Sequence, residues 1–596
     1  SLTRAASHAW TSIAFPMLSG TLVTVAGFIP IGLNNSAAGE FTFSLFVVIA
    51  VSLLVSWIVA VLFAPLIGVT LLPKAMKHHA AGPGRTRRMF HTVLRAAMRF
   101  RWLTIIVTFV VFAVSVWSMR FVEQQFFPSS DRPELIVDFT LQQNTSIAET
   151  RAQMDRFEAA LRDDDDVLFW SSYVGRGAPR FILSYDVPTP GPNTGQVVIQ
   201  TPSVEARDRL RSRLETIAEN EFPGADVFVK LLEIGPPVGR PVQYRISGLD
   251  AATLRDLARD LAAVIAADKR TANIVLDWNE PARVVRVEIV QDKARQLGLT
   301  SRDIASALSA IYDGTSVTEL RDDTYLIDMV ARGNIESRQS VQALANLQLG
   351  AAGDAVIPLS SVAVFSFDTE ISVINQRDRM PTITIKAAIV GADQAATIVT
   401  SLADSIAAFD AGLPPGYRVE VGGTVETSAD SQAPIAAVVP LMLLVIALLV
   451  MVQMQSFRRS LVVFCAAPLG LIGVVAALVP SGAPLGFVAI LGVLALIGIL
   501  IRNSIILVHE IEVLRESGQN GWDAVFNASD SRARPILLTA AAASLALIPI
   551  ARQIFWGPMA YAMMGGIIAG TIITLVFVPA LYLAVFRVPV PHAARS

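Results

Sequence analysis

The stretch Leu496-Ile-Gly-Ile-Leu-Ile-Arg-Asn-Ser-Ile-Ile-Leu-Val-His509 sets a guanidinium halfway along an apolar run long enough to cross a bilayer. A charge at that depth costs at least roughly 2.5 to 3.5 kcal/mol, so such residues face a protein interior and pair with an acid. An Arg close to a helix end can instead snorkel to the interface. Arg502 lies about two helical turns inside Glu510, which favours the buried cation and raises the question of its partner.

Around this stretch the whole chain has the same character. Its 596 residues are 53% hydrophobic and only 16% charged, a balance that belongs to membrane proteins. A net charge of -2 leaves no basic footprint for nucleic acid. The single cysteine, Cys465, lies inside an apolar run and reads as a packing residue. Residue 1 is Ser, and the opening segment lacks the pattern of a signal peptide. The expectation is therefore a sequence cut at its start, either a fragment or one part of a split gene product.

Eight runs approach the roughly 17 to 25 apolar residues that span a bilayer: Ile13 to Leu33, Phe43 to Leu71, Trp102 to Phe121, Pro434 to Met454, Leu461 to Pro480, Leu485 to Val508, Pro535 to Ile550 and Pro558 to Phe586. The last holds Gly566-Ile-Ile-Ala-Gly570, a small-xxx-small spacing suited to close helix packing. Lys and Arg beside membrane runs favour the cytoplasm. The segment with Lys74, Lys77, Arg85, Arg87, Arg88, Arg95, Arg99 and Arg101 contains no acid. It is expected on that side, with Phe90 to Phe100 forming an amphipathic surface helix. Alternation from there sends the long polar segment, Glu123 to Gln432, to the outer side, and the stretch Asn34 to Glu40 becomes an outer loop.

Within the polar segment, strand and helix patterns follow as Glu134 to Leu141 (strand), Ser146 to Leu161 (helix), Val167 to Val174 and Gln196 to Thr201 (strands), Ser203 to Asn220 (helix) and Ala225 to Leu231 (strand). This βαββαβ order predicts a split-βαβ, ferredoxin-like unit. A second such unit starts at Pro241 to Ser247 and resumes at Thr382 to Ile389, split by an insertion of about Glu280 to Asp378. The fold class expected is an α-helical transmembrane bundle carrying a large α/β extracytoplasmic domain.

Three stretches carry a family resemblance: Ala14-Phe-Pro-Met-Leu-Ser-Gly-Thr21 with Pro30 and Ala38-Gly-Glu-Phe41, then Asn503-Ser-Ile-Ile-Leu-Val508, then Arg532-Ala-Arg-Pro-Ile-Leu-Leu-Thr539. In this order, and on these membrane sides, they resemble the second half of resistance-nodulation-division (RND) multidrug efflux permeases. The resemblance implies helices five to seven in residues 1–122, with a basic linker at 74–101, and helices eight to twelve in 433–596. It further implies a first C-terminal porter subdomain at 123–231, a second at 232–279 and 379–432, and a docking subdomain at 280–378.

By the same resemblance Arg502 stands where a helix-ten cation, more usually Lys, faces a pair of proton-carrying aspartates on helix four, in an N-terminal half upstream of Ser1. Guanidinium stays charged, so Arg502 would act as a counter-ion rather than a proton carrier. Asn503, Thr539 and Arg532 match neighbouring relay positions. Residue type alone equally suits Thr539 to packing or back-bonding and Arg532 to a positive-inside cation. The loop Tyr173-Val-Gly-Arg-Gly-Ala-Pro-Arg-Phe-Ile182 matches a flexible loop between drug pockets, with Gly175 and Gly177 as turn residues and Phe181 as an apolar contact. His509 reads as an interface histidine, and Asp163 to Asp166 as a solvated loop.

The implied function is proton-driven export of small amphiphilic substrates across a bacterial inner membrane, by a homotrimer working with a periplasmic adaptor and an outer-membrane channel. No phosphate-binding loop occurs, and His509-Glu-Ile-Glu-Val513 lacks the second histidine of a zinc protease motif. No enzyme activity, cofactor or metal site is therefore expected. The contrasting expectation is a non-transporting membrane scaffold or a complementing half-permease.

Overall fold

A run of apolar residues at membrane depth must satisfy its backbone polar groups internally, and here each run does so as helix. The structure is a computed structural model that describes residues 2–590 except 72–84, 124, 126–129, 183, 234, 236–237, 339, 351–354 and 392, leaving aside the side chains of 2–9, 11–13, 37, 38 and 41. Lys74 and Lys77 thus lie outside the described residues. The chain begins with α1 (Leu2–Gly27), α2 (Ile29–Gly32), α3 (Ala37–Leu71), α4 (Arg85–Arg99) and α5 (Arg101–Ser118). The first apolar run is divided after Gly27, because Pro30 lacks the N–H that a continuous helix would need there and fits instead into the first turn of α2. Helix α3 starts at Ala37, so Gly39 and Glu40, expected in an outer loop, are helical.

The polar segment follows as β1 (Glu134–Thr140), α6 (Ile147–Glu158), β2 (Phe169–Val174), β3 (Thr194–Gln200), α7 (Val204–Glu221) and β4 (Asp226–Leu231). These strands form one antiparallel sheet in the order β2-β3-β1-β4. Alternate residues Leu135, Val137 and Phe139 of β1 are buried with Met154 and Phe157 of α6 and Leu210 and Leu214 of α7. The period of two along the strand and the helical spacing on α6 and α7 thus meet in one core.

A second unit opens with β5 (Val242–Ser247), α8 (Ala251–Ala266) and β6 (Thr271–Leu276). The chain then leaves through β7 (Ala282–Ile289), α9 (Gln291–Gln296), α10 (Ser301–Tyr312), β8 (Thr315–Asp322), β9 (Tyr325–Ala331), α11 (Ile335–Arg338), α12 (Val341–Ala345), β10 (Gln348–Gly350), β11 (Val356–Pro358) and β12 (Ala363–Glu370). Antiparallel pairing of β7 with β12 along their full lengths makes a two-stranded stalk for this insertion. The return is through β13 (Gln376–Arg377), β14 (Met380–Ile389), α13 (Ala395–Ala411) and β15 (Arg418–Gly422). Strands β6-β14-β5-β15 lie in that order, so the second sheet repeats the connectivity of the first with the insertion placed between its second and third strands.

Gly423, at φ +68°, turns the chain from β15 directly into α14 (Gly423–Met454), and a side chain there would press on the Pro241 carbonyl. The remaining helices are α15 (Phe457–Ala466), α16 (Leu471–Ser481), α17 (Phe487–Glu516), α18 (Gly521–Ala551) and α19 (Gly557–Val585). Among the described residues seven spans are long and apolar enough to cross a membrane: α3, α5 with its following turn, α14, α15 with α16, α17, α18 and α19. The first expected run belongs to α1, a helix of 26 residues, whose apolar part among the described residues is Ala14–Gly27. Helix α17 is the hub. Leu496 and Leu500 pack onto Gly566 and Gly570 of α19, where any Cβ would collide with them, and Gly498 meets the backbone of α1 at Thr24. Small residues let these backbones approach, the packing role expected of the glycine pair.

A candidate relay cavity between three helices

On α17, residues Arg502, Asn503, Ile506 and His509 recur at helical spacing, and on α18 Arg532, Pro535, Ile536 and Thr539 do the same. With Pro16, Met17 and Thr21 of α1 they line one cavity of about 260 Å3. The four relay candidates, Arg502, Asn503, Arg532 and Thr539, are therefore brought together, and His509, expected as an interface histidine, lines the same cavity.

The side chains differ in how they are held. Thr539 Oγ1 donates to the Ile536 carbonyl at 2.9 Å, and Thr21 Oγ1 donates to the Met17 carbonyl at 2.9 Å. Arg532 forms an ion pair with Glu510. Arg502 makes no hydrogen bond or ion pair to any described residue, and its Nε is buried without a partner. Its aliphatic stem rests on Gly20 of α1, which aims the guanidinium toward the cavity. Asn503 likewise has no hydrogen bond to a described residue. The cavity thus presents an uncompensated cation and a free amide donor, with two hydroxyls that already donate to carbonyls of their own helices; the cation and the amide suit a carboxylate.

A second ionic cluster lies one turn further along α17 and was not read from the sequence. Glu512 is buried and accepts from the Tyr582 hydroxyl of α19, while Arg459 of α15 reaches it at 2.7 Å. Arg515 completes the cluster, 3.5 Å from Glu512 and donating to Tyr582 Oη at 2.7 Å. Glu510 and Glu512 are two residues apart and so point to different helices, one to α18 and one to α15 and α19. The i,i+3 pairing of Glu512 with Arg515 was the available sequence signal.

The loop residues occupy a separate place, in the first α/β unit between β2 and β3. Gly175 adopts φ +78°, and a Cβ on Gly177 would lie 2.5 Å from Pro188 Cδ. Phe181 is half exposed and stacks on Tyr185 with centroids 5.2 Å apart. Tyr185 is anchored by Gln196, whose Oε1 also accepts from the Ala178 amide at 2.9 Å. Asp163 to Asp166, expected as a solvated loop, is in part a docking point: Arg213 reaches Asp164 at 2.6 Å and Asp166 at 2.8 Å, and Arg209 pairs with Asp166. These partners arrive from α7, more than forty residues on, and hold the Asp166 carboxyl below its usual range, Arg209 contributing most.

Against known proteins, the model of the AcrB/AcrD/AcrF family matches residues 2–586. Two solved structures of a heavy metal efflux pump, in crystal forms II and I, superpose with TM-scores of 0.77 and 0.76 at 21% sequence identity. They cover 96% and 97% of this chain, which spans 58% of the length of each of theirs. At that identity the likeness is one of fold.

Proposed function

The chain belongs to the AcrB/AcrD/AcrF family of RND efflux pumps, and from that premise we propose that it forms the C-terminal portion of a proton-antiporting permease for amphiphilic, drug-like compounds. One observation carries the proposal: Arg502 sits in a cavity between α1, α17 and α18 with Asn503, Arg532 and Thr539, and has no acid among the described residues to pair with. A carboxylate pair supplied by a helix from the other half of the permease would complete it. When those acids ionise they attract Arg502; when they protonate the attraction lapses and α17 is released to shift against α1. Arg502 stays charged throughout, so it senses the proton without carrying it.

In this reading residues 123–231 and 232–279 with 379–432 are ferredoxin-like porter subdomains on the periplasmic side of the inner membrane, 280–378 is the docking subdomain, and 1–122 and 433–596 are membrane-embedded. Phe181, half exposed on a glycine-hinged loop, would touch passing substrate. The β8–β9 hairpin supports assembly into a trimer, because every residue of both strands is exposed and a two-stranded ribbon alone is marginally stable in water. A periplasmic adaptor and an outer-membrane channel would complete the export path.

The test is transport in proteoliposomes holding the complete permease. Arg502→Ala is expected to abolish pH-gradient-driven export and Arg502→Lys to retain part of it. Export by Arg502→Ala that still follows the pH gradient overturns the relay. Export of a heavy metal ion, the cargo named for the solved neighbours, in place of amphiphiles overturns the substrate class while leaving the relay standing.

A further inference from the structure

Helix α4 divides its circumference into three sectors. The first is anchored to the bundle: Leu94, Ala97 and Met98 are buried, Arg87 donates to both oxygens of Asp530 at 3.2 and 2.5 Å, and His91 Nε2 lies 2.7 Å from the same carboxylate. Arg95 sits 5.0 Å from the centroid of the Phe526 ring. Just beyond the helix, Arg101 donates to the Leu583 and Val588 carbonyls at 2.9 and 2.7 Å and so ties the start of α5 to the end of α19. Three cations of the basic segment are thereby engaged within the protein.

The second sector is an apolar line. Met89, Val93, Ala96 and Phe100 succeed one another at spacings of four, three and four residues, which stacks them along one edge of the helix. Met89 is 68% and Phe100 59% exposed, and the line runs on to Trp102, 64% exposed, in the first turn of the span α5. The third sector, beside it, carries Arg85, Arg88, Thr92 and Arg99, all exposed. Arg85 and Arg99 form no ion pair with any described residue and are about 21 Å apart along the axis.

We propose that this outer face of α4 binds the headgroups of anionic phospholipids in the leaflet that receives α5. The apolar line enters the boundary between headgroups and acyl chains, and the adjacent arginines meet lipid phosphates, the arrangement of an interfacial amphipathic helix. Two features select a bilayer over an acidic protein partner. The apolar line is continuous with a membrane-spanning helix, and α4 is fixed by its buried Leu94 and Met98 and by Asp530, so its outer face keeps one orientation beside the span α5. Arginine also suits phosphate, which it can grip with two N–H groups.

Native mass spectrometry of the purified full chain, titrated with phosphatidylglycerol or phosphatidylcholine, reads this directly. Phosphatidylglycerol is expected to bind more tightly. The double change Arg85→Gln with Arg99→Gln is expected to reduce that preference roughly thirty-fold, while Arg85→Lys with Arg99→Lys keeps most of it. Met89→Ser with Val93→Ser is expected to weaken both lipids without altering their ratio. Excess inorganic phosphate should leave bound lipid in place. Equal binding of the two lipids, a preference unchanged in the glutamine variant, or displacement by inorganic phosphate overturns the proposal, the last by showing a site for phosphate itself.

Discussion

The stem of Arg502 lies against Gly20, so closely that a methyl group on Gly20 would stand 2.9 Å from Arg502 Cδ and nearer still to Cγ. Gly20→Ala must therefore push the arginine toward the cavity or part α1 from α17. Overpacking of this kind costs about 1–3 kcal/mol. A lower unfolding midpoint for Gly20→Ala in a detergent-solubilised thermal melt is the expected result, and Gly20→Ala combined with Arg502→Ala should recover most of the loss, since the obstructing atoms are gone.

Removing the charge while keeping the volume separates stability from coupling. Arg502→Met should stabilise the purified chain by about 1–3 kcal/mol, because an unpaired cation leaves the interior and an apolar stem replaces it. The same change should abolish proton coupling in the complete permease. Opposite signs in the melt and in the transport assay would mark Arg502 as a residue retained for function; a destabilised Arg502→Met would show that the cation has a partner in the fold.

Much of this site was legible because its residues come in short local patterns. Arg502 with Asn503, and Arg532 with Thr539, lie in two short stretches that resemble motifs of the family, and the structure brings both stretches to one cavity. Glu512 was missed because its partners, Arg459 and Tyr582, lie on other helices, and nothing local tells which of two nearby glutamates turns to which neighbour. Asp164 and Asp166 read as solvated for the same reason: the arginines that claim them belong to α7. The two α/β units were readable from alternation between strand and helix periods, whereas the breaks at Pro30 and Pro468 subdivide apolar runs that hydropathy alone treats as continuous.

The Glu512 cluster should hold the ends of α15, α17 and α19 together. Glu512→Ala leaves Arg459, Arg515 and the Tyr582 hydroxyl without their shared acceptor, and since both arginines are partly exposed the expected loss is about 1–3 kcal/mol rather than that of a fully buried pair. Tyr582→Phe removes one hydrogen bond and should lose less. Thermal melts of the two variants and their double mutant give the coupling; strict additivity would show that the tyrosine and the glutamate act independently.

Asp166 sets a pH window for the first α/β unit. Arg209 and Arg213 lower its pKa from the ordinary 3.8, so the folded protein binds a proton less readily than the unfolded chain. Its contribution to stability is then present above pH 3.8 and is lost as the pH falls through the depressed folded value. Urea unfolding of wild type and Asp166→Asn, followed from neutral pH downward, should show a difference that is constant above that point and closes below it. A difference that persists in full at the acid end would mean that the aspartate acts through packing instead.

The β8–β9 hairpin offers the most direct handle on assembly. Leu320 and Ile327 face each other across the two strands, both are exposed, and neither touches the insertion's small core around Ile304, Leu344 and Leu359. An apolar cross-strand pair on a ribbon exposed on both faces is stabilised by a covering surface, and the trimer reading makes that surface a second copy of the chain. Leu320→Asp with Ile327→Asp puts two like charges opposite one another, which weakens the hairpin slightly and any apolar contact strongly. Association should fall at least about tenfold, seen as monomer in light scattering after size exclusion, while the main melt stays where it was because the bundle and both α/β cores are untouched. Trimers of undiminished stability in this variant would place the subunit contact elsewhere on the molecule and leave the hairpin without a role in assembly.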